Sequence, residues 1–147
     1  NLSRRIDNNS FACTQTNPMI ASASATLIAT LGGQPQVVTF ALDYLLRRGV
    51  SIQEVIVLHL SPPDGRVDVA VQRLQAVFAG ERYGERSCRF RALPLRYRGR
   101  PMAAIQTMAH AEAARQTVHT LITQLKLQER TLHLSIAGGP RMMALMV

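Results

Sequence analysis

Cysteine is nearly missing from this chain: Cys13 and Cys88 are the 2 in 147 residues. They are too few and too far apart for a disulfide framework, and no Cys-x-x-Cys spacing offers a zinc site. That usage points to the cytoplasm. Lysine is scarcer still, Lys126 being the single one. The positive charge, 17 Lys+Arg against 9 Asp+Glu for a net +8, is therefore almost entirely guanidinium. Arginine matches phosphate oxygens in bidentate fashion and stacks on bases, so the balance favours an anionic partner. An arginine-biased composition would give the same excess without any such partner. Long apolar runs are lacking too: none reaches the roughly 18 residues of a spanning helix, so no membrane segment is expected. Ser3-Arg4-Arg5 resembles the start of a twin-arginine export signal. The small residues from Ala21 to Ala25, however, precede the apolar run, where a cleavage site should follow it.

The common fingerprints of chemistry are also missing. No Gly-x-Gly-x-x-Gly follows a strand, and no Gly-x-x-x-x-Gly-Lys-Ser/Thr loop is present. No serine sits in a Gly-x-Ser-x-Gly turn, and Cys88 has no evident base. Asp43 and Glu112 fall singly within helical runs, where a solvated or capping role is the default. His59 and His133 lie on predicted strands; His110 and His119 lie on one predicted helix but out of phase with each other. Short metal-ligand spacing is absent, so neither a metal nor a cofactor is expected. A reaction at this protein would have to take its nucleophile from the substrate.

What is there is an alternation of periods. At 147 residues the chain suits a single domain. Residues 1–20 are polar, with Asn8-Asn9-Ser10 and Asn17-Pro18, and read as a disordered extension with Met19 a candidate start. The domain is expected over 21–147, cut short at its C-terminal end. Thr26 to Leu31 reads as a buried strand. Val37 to Arg48 reads as a helix with Phe40, Ala41, Tyr44 and Leu45 inward, stopped by Gly49. Glu54 to Leu60 is nearly continuous in apolar residues, as parallel strands covered on both faces are. Pro62-Pro63-Asp64-Gly65 is a turn, Val67 to Ala79 a helix with Val71, Leu74 and Phe78 inward, and Gly80 to Gly84 a polar loop.

Cys88 to Leu95 alternates Arg89 and Arg91 with Cys88, Phe90 and Ala92, which suits a strand near a sheet edge. The arginines from Arg82 to Arg100, interleaved with Tyr83, Phe90 and Tyr97, suit an RNA-binding strip. They equally suit an edge strand guarded by charge, and that simpler reading is preferred. Thr107 to Leu127 is a long helix, with Ala111, Ala114, Val118, Leu121, Ile122 and Leu125 at helical spacing, and Thr131 to Ile136 is the last strand. Strands alternating with helices of this length predict an α/β, Rossmann-like architecture, a mostly parallel sheet with helices on both faces.

Two glycine pairs are the most informative feature. Gly32-Gly33-Gln34-Pro35-Gln36 follows the first strand, and Ala137-Gly138-Gly139-Pro140-Arg141 follows the last, each opening into a helical run. In an open parallel sheet, ligands bind outside the carboxyl ends of the strands, where such turns face one another. Glycine lets backbone approach a ligand closely, and a helix start offers N–H groups to an anion. Gln34 and Gln36 add amides that hydrogen-bond bases and phosphates without charge, although solvated turn residues would look the same.

At these turns the sequence resembles the stand-alone CRISPR-associated Rossmann-fold (CARF) proteins, especially the ring-nuclease type. The stretches that carry the likeness are Leu31 to Thr39 with the helix to Leu46, Val55 to His59, and Leu132 to Gly139; it covers about residues 24 to 147. The resemblance implies a homodimer holding a cyclic oligoadenylate, the second messenger of type III CRISPR defence, across its two-fold axis. It implies cleavage by attack of a ribose 2′-hydroxyl on the adjacent phosphate, without metal. It places ligand contacts at Gly32, Gly33, Gln34, Pro35 and Gln36, and at Gly138, Gly139, Pro140, Arg141 and Met142, with Arg141 as catalytic candidate. No DNA partner is implied.

One departure bears on catalysis. After the second glycine pair the family has Arg-Lys-Thr-Met or similar, whereas Pro140-Arg141-Met142-Met143 stands here. Arg141 can hold a phosphate but stays charged and is a poor proton donor, and Pro140 removes a cation and a backbone donor. A non-catalytic sensor or sequestering module, controlling an effector domain outside this chain, therefore stays open beside the ring nuclease. An unrelated Rossmann-like mononucleotide enzyme is disfavoured by the missing fingerprint.

Overall fold

The structure is a computed structural model that describes residues 24–144, so the expected extension over residues 1–20 lies outside the described residues. β1 (Ala25–Leu31), α1 (Gln36–Arg47), β2 (Ile52–His59) and α2 (Arg66–Val77) alternate as the periods predict. They are followed by two short pairs, β3 (Arg82–Tyr83) with β4 (Arg86–Ser87) and β6 (Arg96–Tyr97) with β7 (Arg100–Pro101), on either side of β5 (Arg89–Pro94). α3 (Met108–Leu127), β8 (Thr131–Ser135) and α4 (Arg141–Ala144) complete the described chain.

One four-stranded sheet runs β5-β2-β1-β8 with every pair parallel. β1 and β2 occupy its centre, which is why their sequences are almost unbroken apolar runs: all of β1, and all of β2 except Gln53, is buried. α1 and α2 cover one face, packing Val38, Leu42, Ala70 and Leu74 on Leu27, Ala29, Val55 and Val57. α3 covers the other, packing Ala114, Val118, Leu121 and Leu125 on Ile28, Ile56 and Leu58. Each fully buried Leu, Ile or Val contributes roughly 1.5–3 kcal/mol, so these two clusters hold the sheet between its helices. The chain thus has a Rossmann-like α/β fold. Among the described residues no helix is long and apolar enough to cross a membrane.

Two expectations need correction. The inward stripe of α1 is Val38 and Leu42 with Ala41 and Leu45 partly covered, while Phe40 and Tyr44 are 69% and 59% exposed. The two aromatics dominate the apolar weight of the helix and so shift its apparent phase, yet the face that packs in the core is built of smaller aliphatics. Arg48 covers Tyr44 instead, its guanidinium 5.5 Å from the ring centroid and its Nη1 donating to the phenol oxygen at 3.1 Å.

The segment expected as a loop from Gly80 to Gly84 contributes to the β3–β4 hairpin. Tyr83 fixes it: its ring stacks on Phe78 at 5.1 Å, and its hydroxyl donates to Asp43 of α1 at 2.7 Å. Strands of two residues carry no period, so this hairpin leaves no pattern in the sequence.

The amino ends of the strands are tied by a buried charge that the sequence pattern does not announce. Glu54 on β2 accepts from Arg130 at 2.5 Å and faces Arg91 of β5 at 3.6 Å, while Arg130 also donates to the Thr26 hydroxyl on β1 at 3.3 Å. Arg91 and Arg89 are exposed along β5, as an edge strand guarded by charge requires.

Candidate functional site

At the carboxyl ends of the strands, β1 and β8 are neighbours, and the turns that follow them meet. The Thr30 hydroxyl donates to the Gly138 carbonyl oxygen and links the two. Three of the four glycines are dictated by this meeting. A Cβ on Gly32 would stand 3.1 Å from the backbone nitrogen of Gly139. One on Gly138 would overlap the carbonyl oxygen of Thr30. Gly139 has φ +79° and would press on Leu31 and on the sulfur of Met143.

Gly33 differs. Its φ lies outside the left-handed region, and a Cβ there would meet only the Cβ of Arg66, at an ordinary 3.6 Å. Neither the turn nor the packing requires glycine at this position, and its missing side chain leaves space open above the sheet.

That space is a cavity of about 780 Å³. The first turn lines it with Gly32, Gly33 and Gln34, and the second with Gly138, Gly139 and Pro140. Leu60 just past β2, Pro62, and Arg66 and Val67 of α2 form a third wall; Ala103, Ala104 and Ile105, ahead of α3, form a fourth.

The other expected site residues lie around it. Pro35 is buried at the start of α1, where its carbonyl accepts from the Val38 N–H at 3.1 Å. Gln36 is exposed, its carbonyl accepting from the Thr39 hydroxyl at 3.1 Å. Arg141 is exposed at the first position of α4 and does not line the cavity. Met142 belongs to α4, and its side chain lies outside the described residues.

Arg66 is the cation at the cavity wall, and sequence reasoning passed over it because it sits on a different element from either glycine pair. Asp64 positions it. One carboxylate oxygen accepts from the Arg66 backbone N–H at 3.1 Å, which starts α2, and the other accepts from Nε at 2.8 Å. The backbone bond first, and the guanidinium bond second, hold the Asp64 carboxyl below its ordinary value of 3.8. With Nε tied, the terminal guanidinium nitrogens make no bond to any described residue. The sequence did contain a trace of this arrangement: an arginine two residues after an aspartate in a Pro-Pro-Asp-Gly turn is placed to bond back to that carboxylate.

The histidines take no part in the lining. His59 is buried at the end of β2 with Nδ1 3.0 Å from the Leu60 carbonyl oxygen, and His110 and His119 lie on α3. Among the described residues the cavity wall therefore offers backbone turns, an amide and a guanidinium, and no nucleophile or proton-transfer group. Such a set is suited to an anion.

Residues 34–147 match the family model described as CRISPR-associated protein NE0113. No curated protein matches the chain.

Proposed function

Because the chain belongs to the CRISPR-associated NE0113 family, we propose that its glycine cavity binds the cyclic oligoadenylate messenger of type III CRISPR defence. The observation that carries this reading is Gly33. It is the glycine that the protein's own packing does not require, and it opens the cavity between Gln34 and Arg66. Gln34 suits the edge of a base, and the free terminal nitrogens of Arg66 suit a phosphodiester. A ring with two-fold symmetry would be shared by two copies of the chain, each presenting one cavity.

Bound there, the ring can be opened by its own chemistry. A ribose 2′-oxygen attacks the adjacent phosphorus, the 5′-oxygen leaves with a proton, and a 2′,3′-cyclic phosphate remains. The protein's share is to bring the 2′-oxygen into line with the leaving oxygen and to stabilise charge on the phosphate. Arg66, and Arg141 from the neighbouring α4, are the guanidinium groups available for that stabilisation.

A specific observation favours a second reading, binding without turnover. A guanidinium donates hydrogen bonds but is no proton shuttle, and among the described residues no side chain lining the cavity transfers protons readily, so hydroxyl activation would fall to solvent. Incubation of the protein with cyclic tetra-adenylate in EDTA, followed by chromatography, separates the outcomes. Linear fragments ending in cyclic phosphate mean a ring nuclease, and an intact ring co-eluting with the protein means a sensor or sponge. A ring that neither binds nor breaks would refute the proposal.

A further inference from the structure

We infer that the β6–β7 hairpin and the start of α3 form a second nucleotide subsite, adjoining the glycine cavity, in which Arg98 and Arg100 hold phosphate and Tyr97 with His110 receives a base. This rests on the reading of the glycine cavity as an oligoadenylate site.

The fold brings the hairpin to that cavity. Leu95, just past β5, donates its N–H to the His59 carbonyl at 2.9 Å, and the Met102 carbonyl accepts from the Ser61 N–H at 2.8 Å. Both ends of the hairpin are thus pinned to the carboxyl end of β2, the same end of the sheet as the glycine turns. Beyond Met102 the chain crosses toward those turns. Ala103 and Ala104 line the glycine cavity on one side and, on the other, a second cavity of about 520 Å³ whose walls include Tyr97, Arg98, Arg100 and His110. The arginine-rich strip of the sequence is therefore divided by the structure. Arg89 and Arg91 guard the sheet edge beside acidic partners, whereas among the described residues no carboxylate pairs with Arg98 or Arg100.

The chemistry of this second cavity suits a nucleotide. Tyr97 meets the His110 ring edge-on with centroids 4.9 Å apart, and the Arg98 guanidinium lies 5.1 Å from the Tyr97 centroid. Aromatic faces beside guanidinium groups accept bases by stacking and phosphates by charge. The glycine cavity has one guanidinium in its wall, already tied to Asp64, while a cyclic oligoadenylate carries one negative charge per nucleotide. With the ring shared by two copies, one Arg66 from each leaves part of that charge unmatched, and the hairpin supplies two more cations per copy across a shared wall.

Arg98 has φ +51° and Gly99 φ +78°, the geometry of a two-residue hairpin turn whose first position favours Asn, Asp or Gly. A long side chain in that region is strained. Glu81 and Glu129 share this left-handed backbone, and glycine at position 98 should relieve it.

The test uses Arg98→Gly/Arg100→Gln, in which glycine relieves the strained turn, so that thermal stability should equal or exceed that of the wild type. The control is Arg82→Ala/Arg86→Ala on the β3–β4 hairpin. Calorimetric titration with cyclic tetra-adenylate should show the hairpin variant weakened by about tenfold or more, with a salt slope lower by about 1.4 for each copy that meets the ring, as expected for two lost phosphate contacts per copy. The control should bind as the wild type does. A folded hairpin variant with wild-type affinity and slope would overturn the subsite while leaving the glycine cavity standing.

If the wild type itself fails to bind the ring, the cavity reading falls. Titration with linear tetra-adenylate then decides the hairpin: affinity lost in the hairpin variant supports the subsite, and affinity absent or unchanged overturns it.

Discussion

Gly138 and Gly33 stand at adjoining turns, yet a methyl group should affect them in opposite ways. In Gly138→Ala the new carbon has the Thr30 carbonyl oxygen in its place, so the turns must part; overpacking of this kind costs about 1–3 kcal/mol. Gly33→Ala meets ordinary contact distance and should stay within about 0.5 kcal/mol of the wild type. Urea unfolding of the two variants checks the pair, and equal losses would show that the turns do not meet as described. Cys88 allows a second check. Burial, with the Glu54 charge second, pushes its thiol from 9.0 to about 11. Two units mean ~100-fold less thiolate at pH 8, so iodoacetamide should label the native protein far more slowly than the urea-unfolded chain. Tyr83 moves the same way, to about 12, through burial and then its bond to Asp43. Both groups give up their proton more readily when unfolded. Stability should therefore hold below pH 9 and fall as pH rises from 9 toward 11 and beyond, which a pH series of urea midpoints would show.

The elements differ in how plainly the sequence announced them. β1 and β2 were legible because parallel strands covered on both faces are written as continuous apolar runs, and α3 because twenty residues repeat its inward stripe more than five times. α1 was legible in extent but not in phase, since Phe40 and Tyr44 outweighed the smaller residues that pack on β1. The two hairpins left no trace, because strands of two residues have no period. The charge that ties the strands was equally hidden, for Glu54 lies in an apolar run and meets Arg130 and Arg91 only through sheet register. Arg130→Met should leave the buried Glu54 carboxylate with only the longer contact to exposed Arg91 and cost about 3 kcal/mol in urea unfolding, with Glu54→Gln in the same chain restoring much of it. A single variant as stable as the wild type would show that the ion pair does not hold the sheet.

For the molecule as a whole, the candidate site was half legible. Glycine pairs after strands can be read directly, and neighbouring strands then brought the turns together. Arg66 and the Ala103–Ile105 wall reach the cavity from segments far along the chain, and only the strand order β5-β2-β1-β8 carries them there. The placement also changes the weight of the residues first singled out: Pro35 is buried, Arg141 lies outside the lining, and Gly33 becomes the position on which the account turns. Arg66→Ala should lower affinity for cyclic tetra-adenylate by about tenfold, the loss expected for a charge-assisted phosphate contact, without lowering the melting temperature. The most direct measurement is calorimetric titration of cyclic tetra-adenylate into the wild type and into Gly33→Leu, whose side chain would fill the opening beside Arg66. The account predicts saturable binding by the wild type and its loss in a variant that melts at the same temperature. A wild type that takes up no ring, or a folded Gly33→Leu that binds it equally well, would contradict the account.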